Sequence, residues 1–388
     1  MNTEYEHVNM KYPIGIQNFA QIITEGFVYV DKTALVHQLV TNGQIYFLSR
    51  PRRFGKSLLI STLKNYYLGK KNLFKDLAID RLEEEWLTYP VFHIDFNGGN
   101  FTQSDGLTDT LENYLCQWEQ LYGRSPYSQA IGNRFIYVLQ QAHLQTGQRA
   151  VILIDEYDKP ILDVLKSNIT STYDGREVLL EEKHSEILKA FYSVFKAANE
   201  HLKFVFLTGV TKFLQVSIFS GFNQPADISL DARYESLCGI TKEEVEQYFQ
   251  EPIQEMAQKY GTDNETIKGM LKEQYDGYHF SENLTDIFNP FSLLNALATK
   301  RIDDYWFRTG TPTYLVCLLE NAKENLYELT GRYYDSSEFI DYKADIEKPL
   351  PMFYQSGYLT IKSYNFKQNN FLLDFPNKEI RNRFPISD

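Results

Sequence analysis

Short apolar runs alternate along the first part of the chain with stretches whose apolar residues return every three or four positions. Residues 44–49 (QIYFLS) form one such run. A basic loop and then LLISTLKNYYLG follow, the latter with helical spacing and a stop at Gly69. The order is strand, loop, helix. Residues 91–96 (VFHIDF) predict a strand broken by Asn97, Gly98 and Gly99. Helices are predicted over 106–122 and 133–145. Residues 150–154 (AVILI) are apolar throughout and largely β-branched, as in a strand covered on both faces. A long helix over 180–199 and a strand over 203–207 (KFVFL) follow, the strand ending at Thr208-Gly209. Residues 234–238 (YESLC) predict a further strand.

This alternation predicts an α/β fold with a parallel sheet flanked by helices. It stops near residue 240. From Thr241 the pattern is mainly helical, over 241–259, 264–275, 290–299 and 312–326, with aromatic loops such as YDGYHF at 275–280. The expected division is 1–240 and 241–388, with no internal repeat and no low-complexity linker.

Composition narrows the class. A length of 388 residues fits two domains, or one large domain with an appendage. Hydrophobic residues at 43% and charged residues at 23% argue against disorder, collagen and coiled coil. Lys and Arg number 39 against 51 Asp and Glu, a net charge of −12. That argues against a nucleic-acid coat over the whole chain and leaves room for a local basic patch. Cys116, Cys238 and Cys317 are far apart with no CxxC pair, and the seven histidines form no HxxxH or HExxH. Neither a disulfide framework nor a zinc site is expected. No signal-peptide region and no run near the ~20 apolar residues of a membrane span occurs. A soluble cytoplasmic protein with no membrane partner is expected.

The chemistry begins at Arg50-Pro51-Arg52-Arg53-Phe54-Gly55-Lys56-Ser57. This is the GK[ST] end of a phosphate-binding loop. Gly55 would let the backbone turn closely around a phosphate. Lys56 would neutralise the terminal phosphates, and Ser57 would offer a hydroxyl to Mg²⁺. The helix N-terminus adds oriented N–H groups. Arg50 stands where the GxxxxGK[ST] pattern has its first glycine, so the strict pattern is missed. Arg50, Arg52, Arg53 and Lys56 make the loop basic on an acidic chain, which suits a polyphosphate.

Downstream, Ile152-Leu153-Ile154 runs into Asp155 and Glu156. In a P-loop NTPase an acid at this strand tip holds Mg²⁺ and a following Glu polarises the attacking water. The strand at 91–96 intervenes between the loop and this segment, which fits the subclass with an extra strand between them and a Glu-activated water. Two readings stand for Thr208: a sensor of the γ-phosphate, or an ordinary strand end. Lys212 could touch phosphate in cis or a neighbour in trans, and reads rather as solvated. Arg52, Arg53 or Arg233 could supply a transition-state cation, and Arg52 and Arg53 could instead bind phosphate or face solvent.

Together these segments resemble the bacterial AAA-ATPase-like family, P-loop ATPases often joined to a C-terminal nuclease of PD-(D/E)XK type. The resemblance rests first on Tyr29-Val30-Asp31-Lys32-Thr33, on the loop from Ser49 to Leu58, on Ile154-Asp155-Glu156-Tyr157-Asp158-Lys159-Pro160 and on Thr208-Gly209-Val210. It continues through Phe219-Ser220-Gly221, Tyr275-Asp276-Gly277-Tyr278, Asn289-Pro290, Thr309-Gly310-Thr311-Pro312, Gly357-Tyr358-Leu359-Thr360 and Phe375-Pro376-Asn377. It implies a P-loop core of ASCE type with a helical, winged-helix-like region covering the nucleotide. It implies ATP and Mg²⁺ as ligands, with Arg52, Arg53, Phe54, Gly55, Lys56, Ser57, Leu58 and Thr208 at the nucleotide, and Ser57 and Asp155 on the metal side. Glu156 carries over as the base and Lys56 as the catalytic cation.

A nuclease half would be expected after the FPN segment, and the sequence stops at Asp388 with no acid…ExK centre of its own. Nuclease activity is therefore not expected of these residues. The aromatics Tyr275, Tyr278, Phe280 and Phe288 read as core, and His279 as a packed or surface histidine. The expected function is a Mg-dependent ATPase acting as a switch or regulator. The alternative is an ATP-binding module with little turnover that engages a protein or nucleic-acid partner through its C-terminal region. A small-molecule phosphotransferase is disfavoured by the Asp155-Glu156 pair. Oligomeric state stays open.

Overall fold

The computed structural model describes residues 10–212, 225–306, 326–340 and 349–383. Helices α1 (Phe19–Thr24) and α2 (Thr33–Asn42) precede β1 (Ile45–Ser49), which leads through the basic loop into α3 (Lys56–Tyr67). Strand β2 (Val91–Asp95), helices α4 (Gly106–Tyr122) and α5 (Ile131–Thr146), and strand β3 (Ala150–Asp155) follow. A short helix α6 (Lys159–Leu162) and a hairpin of β4 (Thr170–Tyr173) and β5 (Arg176–Leu179) come next. Then come α7 (Leu180–Ala197), β6 (Leu202–Gly209) and β7 (Ala226–Asp227).

Five strands form one parallel sheet in the order β2-β3-β6-β1-β7, with a hydrophobic cluster on each face. Every residue of β3 is buried, as its unbroken apolar run requires. The 91–95 strand lies at the edge beside β3. The strand that separates the loop strand from the acidic strand is β6, which corrects the sequence-based placement of the extra strand. Sequence adjacency misled there, because a parallel sheet is filled by crossovers and not in chain order. Register aligns Asp95 with Asp155, and Leu48 with Thr208. The polar strand ends thus gather on one edge of the sheet, beside the basic loop.

Residues 234–238 form no strand. Asp231 accepts a hydrogen bond from the Arg233 amide at 3.0 Å and starts a 3-10 turn over Ala232–Tyr234. Strand β8 (Ile240–Thr241) pairs antiparallel with β9 (Ile287–Phe288). The helix predicted over 241–259 is two: α8 (Lys242–Tyr248), opened by a capping box of Thr241 and Glu244, and α9 (Gln250–Tyr260). Pro252 has no N–H to give the Tyr248 carbonyl, so the helix breaks at Phe249. Helix α10 (Asn264–Tyr275) comes before β9, and α11 (Pro290–Thr299) after it. The helix predicted over 312–326 falls almost wholly outside the described residues.

A three-stranded antiparallel sheet, order β10-β12-β11, joins β10 (Arg332–Asp335), β11 (Thr360–Asn365) and β12 (Asn370–Asp374). Helices α12 (Ser336–Phe339) and α13 (Leu350–Gln355) lie between β10 and β11, and α14 (Lys378–Arg381) follows β12. This sheet and the β4–β5 hairpin were not foreseen from the sequence. Packing crosses residue 240 in both directions. Tyr278, Phe280 and Ile287 join the core on one face of the five-stranded sheet. Met10, Tyr12, Val28 and Val30 pack with the helices after 240.

Candidate functional site

The site is built where β1 ends. Ser49 Oγ donates to the Val210 carbonyl at 2.6 Å, which ties the loop entry to the end of β6. Arg50 turns away from solvent and is 1% exposed. Its guanidinium donates to the carbonyls of Ser49 (2.9 Å) and Ser229 (2.7 Å) and lies 4.1 Å from the Phe280 ring centroid. The residue in place of the first glycine is therefore a buried strut, not a phosphate ligand. The basic loop presents three cations to the cavity, Arg52, Arg53 and Lys56, rather than four.

Arg53 (φ 68°) and Gly55 (φ 94°) both adopt left-handed backbone, so the loop folds back tightly before α3. Gly55 caps that helix. Phe54 between them is buried edge-on against Tyr278 (4.8 Å) and Phe280 (5.4 Å), and its carbonyl accepts from the Gly239 amide at 3.1 Å. The Trp306 indole donates to the Arg52 carbonyl at 3.3 Å. A Cβ on Gly357 would sit 2.7 Å from Pro51 Cβ. The region after 240 thus clamps the loop from behind. The aromatics read as core are buried, and His279 is packed between the Ile361 carbonyl and Asp286 Oδ1.

In front of the loop lies a cavity of about 430 Å³, within the roughly 300–1,000 Å³ of small-ligand pockets. Arg52, Arg53, Gly55, Lys56, Ser57 and Leu58 form one wall, and Glu156 and Lys159 line it too. Residues 13–17 and Pro290, Phe291 and Leu294 of α11 contribute the rest, with Asp95 and Asn97 from the end of β2. Arg53 lies 5.0 Å from the Phe291 ring centroid. Residues 13–17, Asp95, Asn97, Lys159 and α11 were missed from the sequence. Only the polar ends of β2 and β3 carried any signal. A second, apolar cavity of about 90 Å³ adjoins it, sharing Pro13, Gly55, Leu58, Pro290 and Leu294. Val28, Val30, Phe54 and Ile240 line this smaller space.

Lys56 is buried, donates to the Arg50 (3.1 Å) and Pro51 (3.3 Å) carbonyls, and stands 3.3 Å from Glu156 Oε1. Asp155 lies just behind. Thr208 Oγ1 donates to Asp155 Oδ1 at 2.6 Å, so Thr208 backs the acid and does not line the cavity. Burial and the neighbouring Glu156 charge raise the Asp155 pKa, while the Ser57 and Thr208 hydroxyls and Lys56 oppose the rise. A buried carboxylate beside a second carboxylate and a serine hydroxyl is an oxygen-donor set that a divalent cation would relieve. Among the described residues no group of three or more His, Cys, Asp or Glu could hold a metal by itself. The Ser57 hydroxyl beside the Asp155 carboxylate fits Mg²⁺, which keeps waters and takes one or two protein oxygens alongside phosphates.

Asp158 accepts from the Thr211 amide and hydroxyl, both at 2.7 Å, and ties the segment after Thr208 to the β3 tip. Lys212 is not solvated. It pairs with Asp227 at 2.5 Å, and its amide donates to Gln355 Oε1 at 2.8 Å. Arg233 pairs with Asp231 on an exposed turn and does not line the cavity. The Tyr29–Thr33 segment is a bracket. Asp31 caps α2 through Thr33 and accepts from the Ala78 amide, and Lys32 reaches Glu244 of α8 at 2.5 Å.

A five-stranded parallel sheet with a basic loop and an acidic strand end at one edge is a P-loop-like α/β arrangement. A family model described as Predicted AAA-ATPase (AAA-ATPase-like) matches residues 13–219. A protein of Azotobacter chroococcum mcd 1, described as an uncharacterized protein in the vnfD 5′ region, is 36% identical over 375 residues. The match covers 96% of this chain and 68% of the relative. The chain belongs to the AAA-ATPase-like family. Among the described residues no helix is long and apolar enough to cross a membrane.

Proposed function

We propose that the protein binds ATP with Mg²⁺ and hydrolyses it, acting as a molecular switch or regulator. The observation that carries this is the convergence of Lys56, Ser57 and Glu156 on one cavity, with Asp155 directly behind. The sheet order, with β6 between the loop strand and the acidic strand, supports an ASCE-type P-loop core. The triphosphate would lie along Gly55, Lys56 and Ser57, with Arg52 and Arg53 at its side. The adjoining apolar cavity suits an adenine ring.

Ser57 and Asp155 would hold Mg²⁺, which when bound neutralises phosphate charge and orients the terminal group. Lys56 exchanges the loop carbonyls for phosphate oxygens. Glu156 then loses its lysine partner and takes the proton of the attacking water as the O–P bond forms. Thr208 holds Asp155 in place from behind. We divide the chain functionally near residue 240. The β10-β12-β11 sheet, with two helices between β10 and β11, supports a winged-helix reading of the C-terminal part.

A second reading is an ATP-binding module with little turnover that serves a protein or nucleic-acid partner through the C-terminal region. The Lys56–Glu156 pair favours it, because each group occupies the other before nucleotide arrives. MgATP affinity and phosphate release, with and without DNA over a salt series, test both readings. Absence of nucleotide binding by the wild type sinks both. Tight binding with background release leaves the second.

A further inference from the structure

We propose that Lys159 contacts the terminal phosphate of the bound nucleotide, as a cation supplied within the chain from the side opposite the phosphate loop. The proposal rests on the nucleotide reading above. It begins with one turn. Glu156 adopts left-handed backbone (φ 52°), and the Lys159 amide donates to the Glu156 carbonyl at 3.0 Å. These two features fold Asp155–Lys159 back on itself at the tip of β3. Glu156 and Lys159 are thereby carried on one short, closed piece of backbone, and both line the larger cavity.

The lysine is also held in place. Its Nζ lies 2.5 Å from Asp163 Oδ2, one helical turn further on. An ammonium has three protons, so one given to Asp163 leaves others for a second acceptor. The rest of the turn is anchored beneath it by Asp158 on Thr211.

The other cations near the strand ends are committed elsewhere. Arg50 is buried against Phe280, and neither Lys212 nor Arg233 lines the larger cavity. Among the described residues, the cations lining the larger cavity are Arg52, Arg53, Lys56 and Lys159. The first three belong to the phosphate loop. Lys159 alone of these comes from the acidic strand, beside the carboxylate proposed to receive the water's proton.

Charge in phosphoryl transfer spreads over the oxygens of the transferred group, and a fixed cation there lowers the barrier without taking part in covalent chemistry. Water's oxygen forms the new bond to phosphorus and the bond to the ADP oxygen breaks. The proton passes to Glu156, and Lys159 keeps its own protons throughout. In this arrangement the stabilising cation needs no neighbouring subunit.

The test compares wild type, Lys159→Ala and Lys159→Arg for MgADP affinity, MgATP affinity and phosphate release. Lys159→Ala is expected to bind MgADP as the wild type does and to bind MgATP about tenfold more weakly, the scale of one charged hydrogen bond. Its turnover should fall roughly 100-fold, with Lys159→Arg restoring most of both losses. An unchanged gap between ATP and ADP affinity in Lys159→Ala overturns the proposal. Loss of MgADP binding in Lys159→Ala also overturns it, because the lysine would then serve the fold. A wild type that binds neither nucleotide overturns the site reading itself and the proposal with it, whatever Lys159→Ala does.

Discussion

Lys56 and Glu156 face each other at 3.3 Å across the mouth of the phosphate loop, while Lys56 also donates to the carbonyls of Arg50 and Pro51. The loop's own lysine therefore fills the position its ligand would take. A polyphosphate must offer more than these three partners together, and its arrival releases Glu156. On the proposed reading, nucleotide binding and the arming of Glu156 as base are one event.

Glu156→Gln should separate the two. The substitution removes a negative charge from beside the terminal phosphate and frees Lys56 from its ion pair. MgATP should bind several-fold more tightly, while turnover falls by roughly 100-fold for want of a base. Isothermal titration and phosphate release measure the two effects. Turnover equal to wild type would remove Glu156 from the role of base.

Lys56→Ala should do the reverse. Its ammonium is buried and lines the cavity, and the neighbouring cavity cations Arg52 and Arg53 are exposed and better screened. MgATP affinity should drop by about 100-fold or more, as expected when a charge-assisted contact from a buried ammonium to phosphate is lost. Tight MgATP binding by this variant would sink the phosphate-loop assignment.

Much of this was legible in the sequence, and the gaps have physical causes. The β1–α3 and β3 elements were readable because their apolar periodicity is long and unbroken. Arg50 was misjudged because sequence shows a charge, not its direction, and here the charge is buried under Phe280. Lys212 was misjudged for the same reason, since its partner Asp227 lies on a strand paired two strands away in space. The cavity walls from residues 13–17 and α11 carry no chemical signature of their own. They become visible only when the chain closes on itself. The C-terminal sheet was hidden because its strands are short and half exposed, so their alternation is weak.

Gly209→Ala should disturb the site from behind. A Cβ there would lie 2.5 Å from Tyr157 Cδ1 and 2.6 Å from Asp158 Oδ1. Both neighbours are buried, so neither can step aside cheaply. The strain would pull Asp158 from Thr211 and shift Thr208 against Asp155. A destabilisation of about 1–3 kcal/mol is expected, with turnover reduced in the molecules that remain folded. Thermal melts and phosphate release on one sample check it. A melting midpoint equal to wild type would show that the packing here yields.

Asp276 gives a pH dependence whose sign can be worked out. It is buried in the loop after α10, and no side chain among the described residues hydrogen-bonds either carboxyl oxygen. Burial raises its pKa to about 7, Asp286 adds to the rise, and the Gly277 amide, Lys272 and His279 oppose it. A carboxyl with a raised folded pKa favours the native state while that state alone holds the proton. This contribution is full below the unfolded value of about 3.9 and is lost as pH climbs through about 7. Glu379, also raised to about 7 by burial, acts in the same window, so the wild-type curve alone does not isolate Asp276. Asp276→Asn does, because an amide of the same shape carries no proton to lose. The variant's margin over wild type should be larger near pH 8 than near pH 5, by up to a few kcal/mol. Denaturant unfolding at the two pH values measures the difference. A gap between variant and wild type that is the same at pH 5 and pH 8 would show that Asp276 does not change its protonation on folding.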